Sequence, residues 1–403
     1  MIKKRTPEGI ILVKNFVVSL LATALMAPAA YAQDVGDIIP NMVPQVLPES
    51  RNWRPPVYKN QDNTLGYSSK AFATPKGMEK QVQFWVDVYS KYTSEQGILH
   101  DSENVEKIYQ IVDLKGLKTD RERQKKIDIV KKEISEKLNL NKEQRSNLRF
   151  QLGQKDRMQT AIFYSGRYIE DMEKIFRENK LPVELVRLVF VESSFNINAR
   201  SKVGASGMWQ IMPYTARPYR MISSSVDKRN HPMEATKFAA RLLRSNYNML
   251  ESWPLAVTGY NHGPTGVAKM TKKYKSRDLS YLVDNVSSRQ SFGFASRNFY
   301  ACFLAALEVE RNANTYFGGV LWSKQLESQD LKLPKAIKYK DLVKWFDGDH
   351  QKAQVFNPHL TYQVIKKGMA IPTKTVVALP KDKYNIALIS LAHKGRTIAS
   401  DKN

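Results

Sequence analysis

One cysteine, Cys302, occurs among the 403 residues. That excludes an intrachain disulfide, an all-cysteine zinc cluster and a CxxC redox centre. Acidic residues are scarce: 39 Asp and Glu stand against 63 Lys and Arg, for a net charge of +24. Such a field draws polyanions, whether nucleic acid, a membrane surface or an acidic wall polymer. The six histidines are scattered without HExxH or any comparable ligand spacing, so neither a metal nor another cofactor is expected. Beyond residue 32 no apolar run approaches the ~18 residues of a membrane-spanning helix, so no transmembrane span is expected there. Tandem repeats and low-complexity tracts are lacking too. What remains is ordinary for a folded protein, with 42% apolar, 10% aromatic and 25% charged residues. The length gives room for two or three domains.

Residues 1–32 read as an export signal peptide. Lys3, Lys4, Arg5 and Lys14 supply positive charge, residues 16–27 form a short apolar stretch, and Ala30-Tyr31-Ala32 is a small-x-small cleavage site. Cleavage is expected between Ala32 and Gln33, with a periplasmic or secreted product; an uncleaved anchor is the second reading. No cysteine follows the apolar stretch, so no lipid anchor is expected. Export turns the charge argument away from nucleic acid, which is not an expected partner, and toward the wall or an anionic envelope surface.

Residues 33–75 contain Pro40, Pro44, Pro48, Pro55, Pro56 and Pro75 and predict an extended lead-in. Residues 76–149 predict a helical N-terminal extension. Trp85, Val88, Tyr89 and Tyr92 recur at helical spacing and predict a buried aromatic stripe, not a ligand platform. Over 119–138, Ile127, Val130, Ile134 and Leu138 place a thin apolar stripe on a charged segment, which predicts a surface helix. Residues 150–330 predict a mostly helical domain. In 331–403, short β-like runs with Pro and Gly punctuation predict a small α+β module. The expected fold class is therefore mainly α.

The densest chemistry begins near Pro182, which suits a helix start. Leu185, Val186, Leu188, Val189, Phe190 and Val191 make the following helix apolar nearly all round, which predicts burial. Glu192 stands at its C-terminal end. Desolvation and the negative end of the helix dipole both favour the protonated form there. A carboxyl that stays protonated near neutral pH can act as a general acid. The alternative is a structural glutamate paired with Arg187 or Arg200. Downstream come Ser201, the run GASGMWQIMP at 204–213, and GYNHGP at 259–264. Small residues let a backbone approach a ligand closely. Trp209 and Met212 offer apolar surface, Ser201 and Gln210 neutral hydrogen bonds.

Glu192-Ser193, Ser201, Gly204-Ala205-x-Gly207-Met208-Trp209-Gln210-x-Met212-Pro213 and Tyr260-Asn261 together resemble the lytic transglycosylases with a goose-lysozyme-like fold. Segments 84–89 and 227–229 further resemble the membrane-bound D-type branch. The strong likeness covers roughly 180–311, a weaker one 80–110 and the C-terminal module. The resemblance implies a lysozyme-like helical catalytic domain over 150–330 and cleavage of peptidoglycan glycan strands, which become the expected partner. By position, it implies that Glu192 is the catalytic acid and then base. Ser201 would contact the acid or the substrate near it, and Gly207, Gln210 and Met212 would line sugar subsites, with Trp209 and Met212 offering apolar surface to sugar faces. Tyr260 would hydrogen-bond and orient Glu192, Asn261 would hold the same turn, and Tyr300 would be a late cleft residue.

Ordinary glycosidases use two carboxylates, yet no Asp or Glu lies between Glu192 and Asp227. Asp227 is the first distant candidate, although a turn residue pairing with Arg229 or capping a helix is the preferred reading. A single acid suffices in the family's reaction, where the muramyl 6-hydroxyl closes a 1,6-anhydro ring. A hydrolytic muramidase and a catalytically inactive wall-binding protein are the alternatives. Two departures stand out: Gly259 replaces the usual Ala, and His262 replaces a small residue. His262 is read either as a bulkier cleft residue that alters subsite width or bond-cleavage preference, or as a solvent-facing turn residue. The C-terminal module resembles a divergent LysM domain without its Gly-Asp-Thr opening; a structural cap on the catalytic domain is the competing reading.

Overall fold

A helix that is apolar on every face has to be wrapped by others, and Phe294–Arg311 is buried along most of its length. The computed structural model describes residues 49–53, 72–286 and 292–393. The expected signal peptide and most of the proline-rich lead-in lie outside these residues. Glu79–Ser90, Leu188–Ser193 and Trp253–His262 all pack against Phe294–Arg311. The aromatic stripe behaves as expected: Trp85, Val88 and Tyr89 are buried, and Tyr92 is partly so. The Trp85 indole Nε1–H donates to Asn298 Oδ1 at 3.1 Å, pinning the two helices in register. Among the described residues, no helix is long and apolar enough to cross a membrane. Helices dominate, as the mainly α expectation requires.

Residues 96–152 depart from the all-helical extension. Gln96–Asp101, Ile108–Asp113 and Leu148–Leu152 form an antiparallel sheet with 96–101 in the middle. Ile98, Ile108, Ile111 and Val112 suit a pleated surface, and the central strand is buried almost throughout. At Gly97 a Cβ would lie 2.0 Å from the Phe150 ring, so only glycine lets that ring close over the strand. The charged helix Asp120–Lys137 covers the sheet with its thin stripe. Ile127, Val130 and Ile134 join Leu99, Val112 and Leu148 in one small core, while Leu138 lies past the helix end and is exposed. Thr119 and Glu122 cap the start reciprocally, an arrangement that contributes about 1 kcal/mol.

The C-terminal module has its own core, built from Leu331, Leu342, Trp345, Phe346, Ile371 and Val377 among others. Ser328–Lys332 and Val376–Pro380 pair antiparallel and enclose the short helices Tyr339–Lys344, His350–Phe356 and Tyr362–Ile365. The helix Tyr384–His393 follows. The small α+β character is present. Val226, from the helical body, is buried in this same core.

Candidate active site

The segment carrying Glu192 starts with a tight 3-10 turn, Val183–Arg187, and continues as the short helix Leu188–Ser193. Pro182 precedes the turn as its cap. Ser194 and Phe195 then adopt left-handed backbone, with φ of 52° and 59°. Such a pair of non-glycine residues is uncommon and stops the helix abruptly. Phe195 packs edge-on against Phe190 at 4.7 Å, which holds the reversal. Glu192 keeps partial solvent access, yet protein atoms crowd its carboxyl enough to push its pKa up to about 8. Burial is the cause; the helix dipole expected to add to it belongs to a helix of only six residues.

Arg187 does not serve Glu192. It is fully buried and clasped between Glu173 and Glu310, each at 2.6 Å. One of the two partners proposed for a structural glutamate is therefore taken.

The run after Ser201 folds into a compact knot. Ser201 N–H donates to the Ala205 carbonyl at 3.0 Å, Gly207 N–H to Ala199 at 2.9 Å, and Ser206 and Ile211 exchange backbone bonds at 3.2 Å. Ser201 Oγ accepts the Ala205 N–H at 2.8 Å, which leaves its own proton for another acceptor. At Gly207 (φ 77°) a Cβ would lie 2.0 Å from the Arg229 carbonyl oxygen, so no other residue fits. Gln210 is half-buried with φ 43°. Its Nε2 donates to the Ala199 and Gly207 carbonyls at 3.2 and 2.8 Å, while Oε1 is buried without a partner. Met212 is half-buried at the end of the knot, and Tyr214 beyond it is 73% exposed.

Tyr260 lies close enough to Glu192 for the carboxylate's charge to raise its pKa, on top of a larger effect of burial. The Tyr260 hydroxyl does not donate to Glu192: its proton goes to the Trp209 carbonyl at 2.8 Å. With its proton committed there, Tyr260 is left to accept, which suits a protonated neighbour. The same bond ties the surroundings of Glu192 to the knot. Asn261 Oδ1 accepts from Ser296 Oγ at 2.9 Å, and His262 Nδ1 lies 3.3 Å from that same oxygen. Ser296 has one proton and spends it on Asn261, so His262 Nδ1 is the donor. His262 also packs edge-on against Phe292 at 5.3 Å, and burial lowers its pKa. It is a braced residue and not a free surface side chain.

Two expected cleft residues lie elsewhere. Tyr300 is fully buried on the central helix, because that helix is enclosed on all sides. Trp209 is also fully buried, stacked on Phe176 with centroids 5.8 Å apart. Its Nε1–H donates to Thr236 Oγ1 at 2.9 Å. It anchors the knot from beneath and offers no sugar platform. Asp227 pairs with Arg229 at 2.7 Å and caps the turn Lys228–Asn230, as its preferred reading had it. Tyr89 joins the site without having been singled out as a site residue: Cys302 lies beside its hydroxyl, and Glu192 contributes to raising its pKa after burial and Cys302. The aromatic stripe gave no hint of this, since the contact is made across three separate segments. Among the described residues no group of three His, Cys, Asp or Glu is placed to hold a metal ion.

With this geometry in place, known proteins supply the comparison. Residues 172–283 match the Transglycosylase SLT domain family. The SLT match takes in Glu192, the knot, Asp227, Arg229 and Tyr260. Membrane-bound lytic murein transglycosylase D of Escherichia coli is 30% identical over 142 residues, which is 35% of this chain and 30% of that one. This bears out the expected D-type likeness. A putative tributyltin chloride resistance protein of Alteromonas is 28% identical over 118 residues, 28% of this chain and 57% of that one. The chain thus spans about a third of the length of the first of these relatives. The 70 kDa soluble lytic transglycosylase of Escherichia coli aligns at 21% identity and a TM-score of 0.30, over 36% of this chain and 24% of that one.

Proposed function

We propose that this protein is an exported lytic transglycosylase that cleaves the glycan strands of peptidoglycan between N-acetylmuramic acid and N-acetylglucosamine, with Glu192 as acid and then base. The observation that carries the reading is a solvent-reachable glutamate, kept protonated to about pH 8 by burial, tied through Tyr260 to the knot that carries Gln210. The SLT match over the same residues supports it.

In the first step the Glu192 carboxyl gives its proton to the glycosidic oxygen and the C1–O bond breaks. The acetamido carbonyl oxygen of the muramyl residue stabilises C1. In the second, the Glu192 carboxylate takes the proton of the muramyl 6-hydroxyl, and O6 bonds to C1. The acid is regenerated and no water is consumed. Oriented intramolecular attack reaches effective molarities of about 10⁵–10⁸ M, so one carboxylate is enough. Tyr260 accepts from the protonated acid. The Ser201 proton, uncommitted within the knot, binds a sugar hydroxyl or amide oxygen, and the half-buried Gln210 lines the subsite beside it. Met212 supplies apolar surface. Asn261 orders the turn through Ser296. The positive charge of the chain attracts stem-peptide carboxylates and anionic envelope.

Mass spectrometry of digested sacculi tests this. Wild-type protein is expected to release 1,6-anhydromuramyl products, and Glu192→Gln to lose ~10² to 10⁴-fold in rate. For the wild type, kcat/KM falls tenfold per pH unit above about 8, where the acid has lost its proton. Reducing muramic ends in place of anhydro ends would make the protein a hydrolytic muramidase, and full activity in Glu192→Gln would remove the assignment altogether.

A further inference from the structure

The knot that carries Ser201, Gln210 and Met212 rests on residues 222–231, and that segment is shared between two cores. Val226 is buried with Leu342, Leu360 and Ile371 of the C-terminal module and bridges Leu360 in antiparallel fashion. Asp227 N–H donates to the His359 carbonyl at 2.8 Å, and Thr361 N–H to the Ser225 carbonyl at 3.1 Å. Thr361 Oγ1 donates to the Ser224 carbonyl at 2.5 Å. The rings of His231 and His359 pack at 4.8 Å across the same junction.

On its other side the segment grips the knot. Asp227 holds Arg229 through Nε at 2.9 Å and Nη2 at 2.7 Å. Arg229 Nη1 donates to the Gly204 carbonyl at 2.7 Å and the Ile211 carbonyl at 3.0 Å. Those two carbonyls mark the beginning and end of the knot. Ser206 Oγ donates to Asn230 Oδ1 at 2.6 Å, and Gly207 lies flat on the Arg229 carbonyl. Three consecutive chain positions, 227 to 229, therefore link the module's backbone to both ends of the candidate substrate turn.

We infer that the C-terminal module is a brace for this turn and that Arg229 is the positioning residue through which it acts. The inference rests on the transglycosylase reading only in calling the turn a substrate turn. Gly204 and Gly207 give the turn backbone freedom. A guanidinium fork fixed by a carboxylate removes that freedom before substrate arrives, so less ordering remains to be done on binding. A lysine in its place keeps the charge but lacks the fork.

The test uses the full chain and two variants. Arg229→Lys acts on the knot side, and Val226→Ala on the module side only. Hydrogen–deuterium exchange over 199–212 is expected to quicken roughly tenfold or more in Arg229→Lys, as hydrogen bonds to a charged group are lost. Exchange in Phe294–Arg311 stays as in wild type. With soluble glycan strands, KM rises and kcat moves little, and the pH profile set by Glu192 does not shift. Val226→Ala gives the same pattern in weaker form, and the double variant is no worse than Arg229→Lys alone. Unchanged exchange over 199–212 in both variants, or fully additive effects, would overturn the brace. If Arg229→Lys does not fold, Val226→Ala decides alone. Exchange needs no activity: a wild type without anhydro products defeats the transglycosylase reading and leaves this result standing.

Discussion

Glu184 and Glu192 stand at the two ends of one apolar segment, and burial raises the pKa of both, to about 7 and about 8. Their surroundings differ in kind. Glu184 is fully buried, and its carboxyl oxygens reach no group of another residue by hydrogen bond. Beside it lie Arg187, Glu173 and Arg311, whose charges act on it in opposing directions. Arg187 is itself clasped by Glu173 and Glu310. This end of the segment is sealed, and its charges settle their accounts inside the fold. Glu192 has no such counter-charge acting on it; desolvation alone sets its pKa. It keeps a path to solvent and lies near Tyr260, which is bonded to the knot. A raised pKa is thus common to a sealed glutamate and to the one proposed as the acid. Access and neighbours with spare hydrogen-bonding capacity separate them.

Three substitutions sharpen that contrast. Arg187→Met leaves Glu173 and Glu310 facing each other without the guanidinium between them, and removing one member of a buried ion network costs about 3–5 kcal/mol. A large fall in thermal midpoint at pH 7 is expected, and a midpoint within about 2 °C of wild type would show that the sealed end carries no such burden. Glu192→Gln should stabilise the protein at alkaline pH. The folded state holds the Glu192 proton more tightly than the unfolded chain does, so this group's contribution to wild-type stability is fullest below pH 4.5 and falls as pH rises to about 8. The variant escapes that loss, by up to ~4 kcal/mol at pH 8 and by little at pH 4. Denaturant titrations at the two pH values check it; equal differences would contradict the burial argument. Glu184→Gln follows the same logic with a smaller gain, up to ~3 kcal/mol, that levels off above about pH 7. Its activity stays at wild-type level, measured on sacculi, whereas that of Glu192→Gln does not. Equal loss of activity in both would erase the distinction between the two ends.

Much of this was legible from local pattern. The capped helix after Thr119 and the aromatic stripe of Glu79–Ser90 are periodic, and periodicity reports which face is buried. The Asp227–Arg229 pair was legible because its members are two residues apart. The strands at 96–152 were missed, since short β-branched runs amid charged residues resemble broken helices. Trp209 and Tyr300 were misplaced for another reason. An aromatic residue near a glycine-rich turn has the same composition whether it faces a groove or a core, and only Phe176, Thr236 and the enclosed central helix decide it. Tyr89 and its tie to Cys302 depend on segments more than two hundred positions apart, which no window of sequence spans.

By itself the sequence determined the residue types that make this chemistry available: a lone acid after an apolar run, glycines where a backbone must turn left-handed, and amide and hydroxyl side chains beside them. These follow from covalent and steric facts that hold wherever the residues sit. The tertiary structure alone decided which acid is reachable, where the Tyr260 proton goes, and that a C-terminal module shares its core with the segment beneath the knot. Burial and hydrogen-bond partnership are properties of packing between distant segments, so they come into being only when the chain has folded.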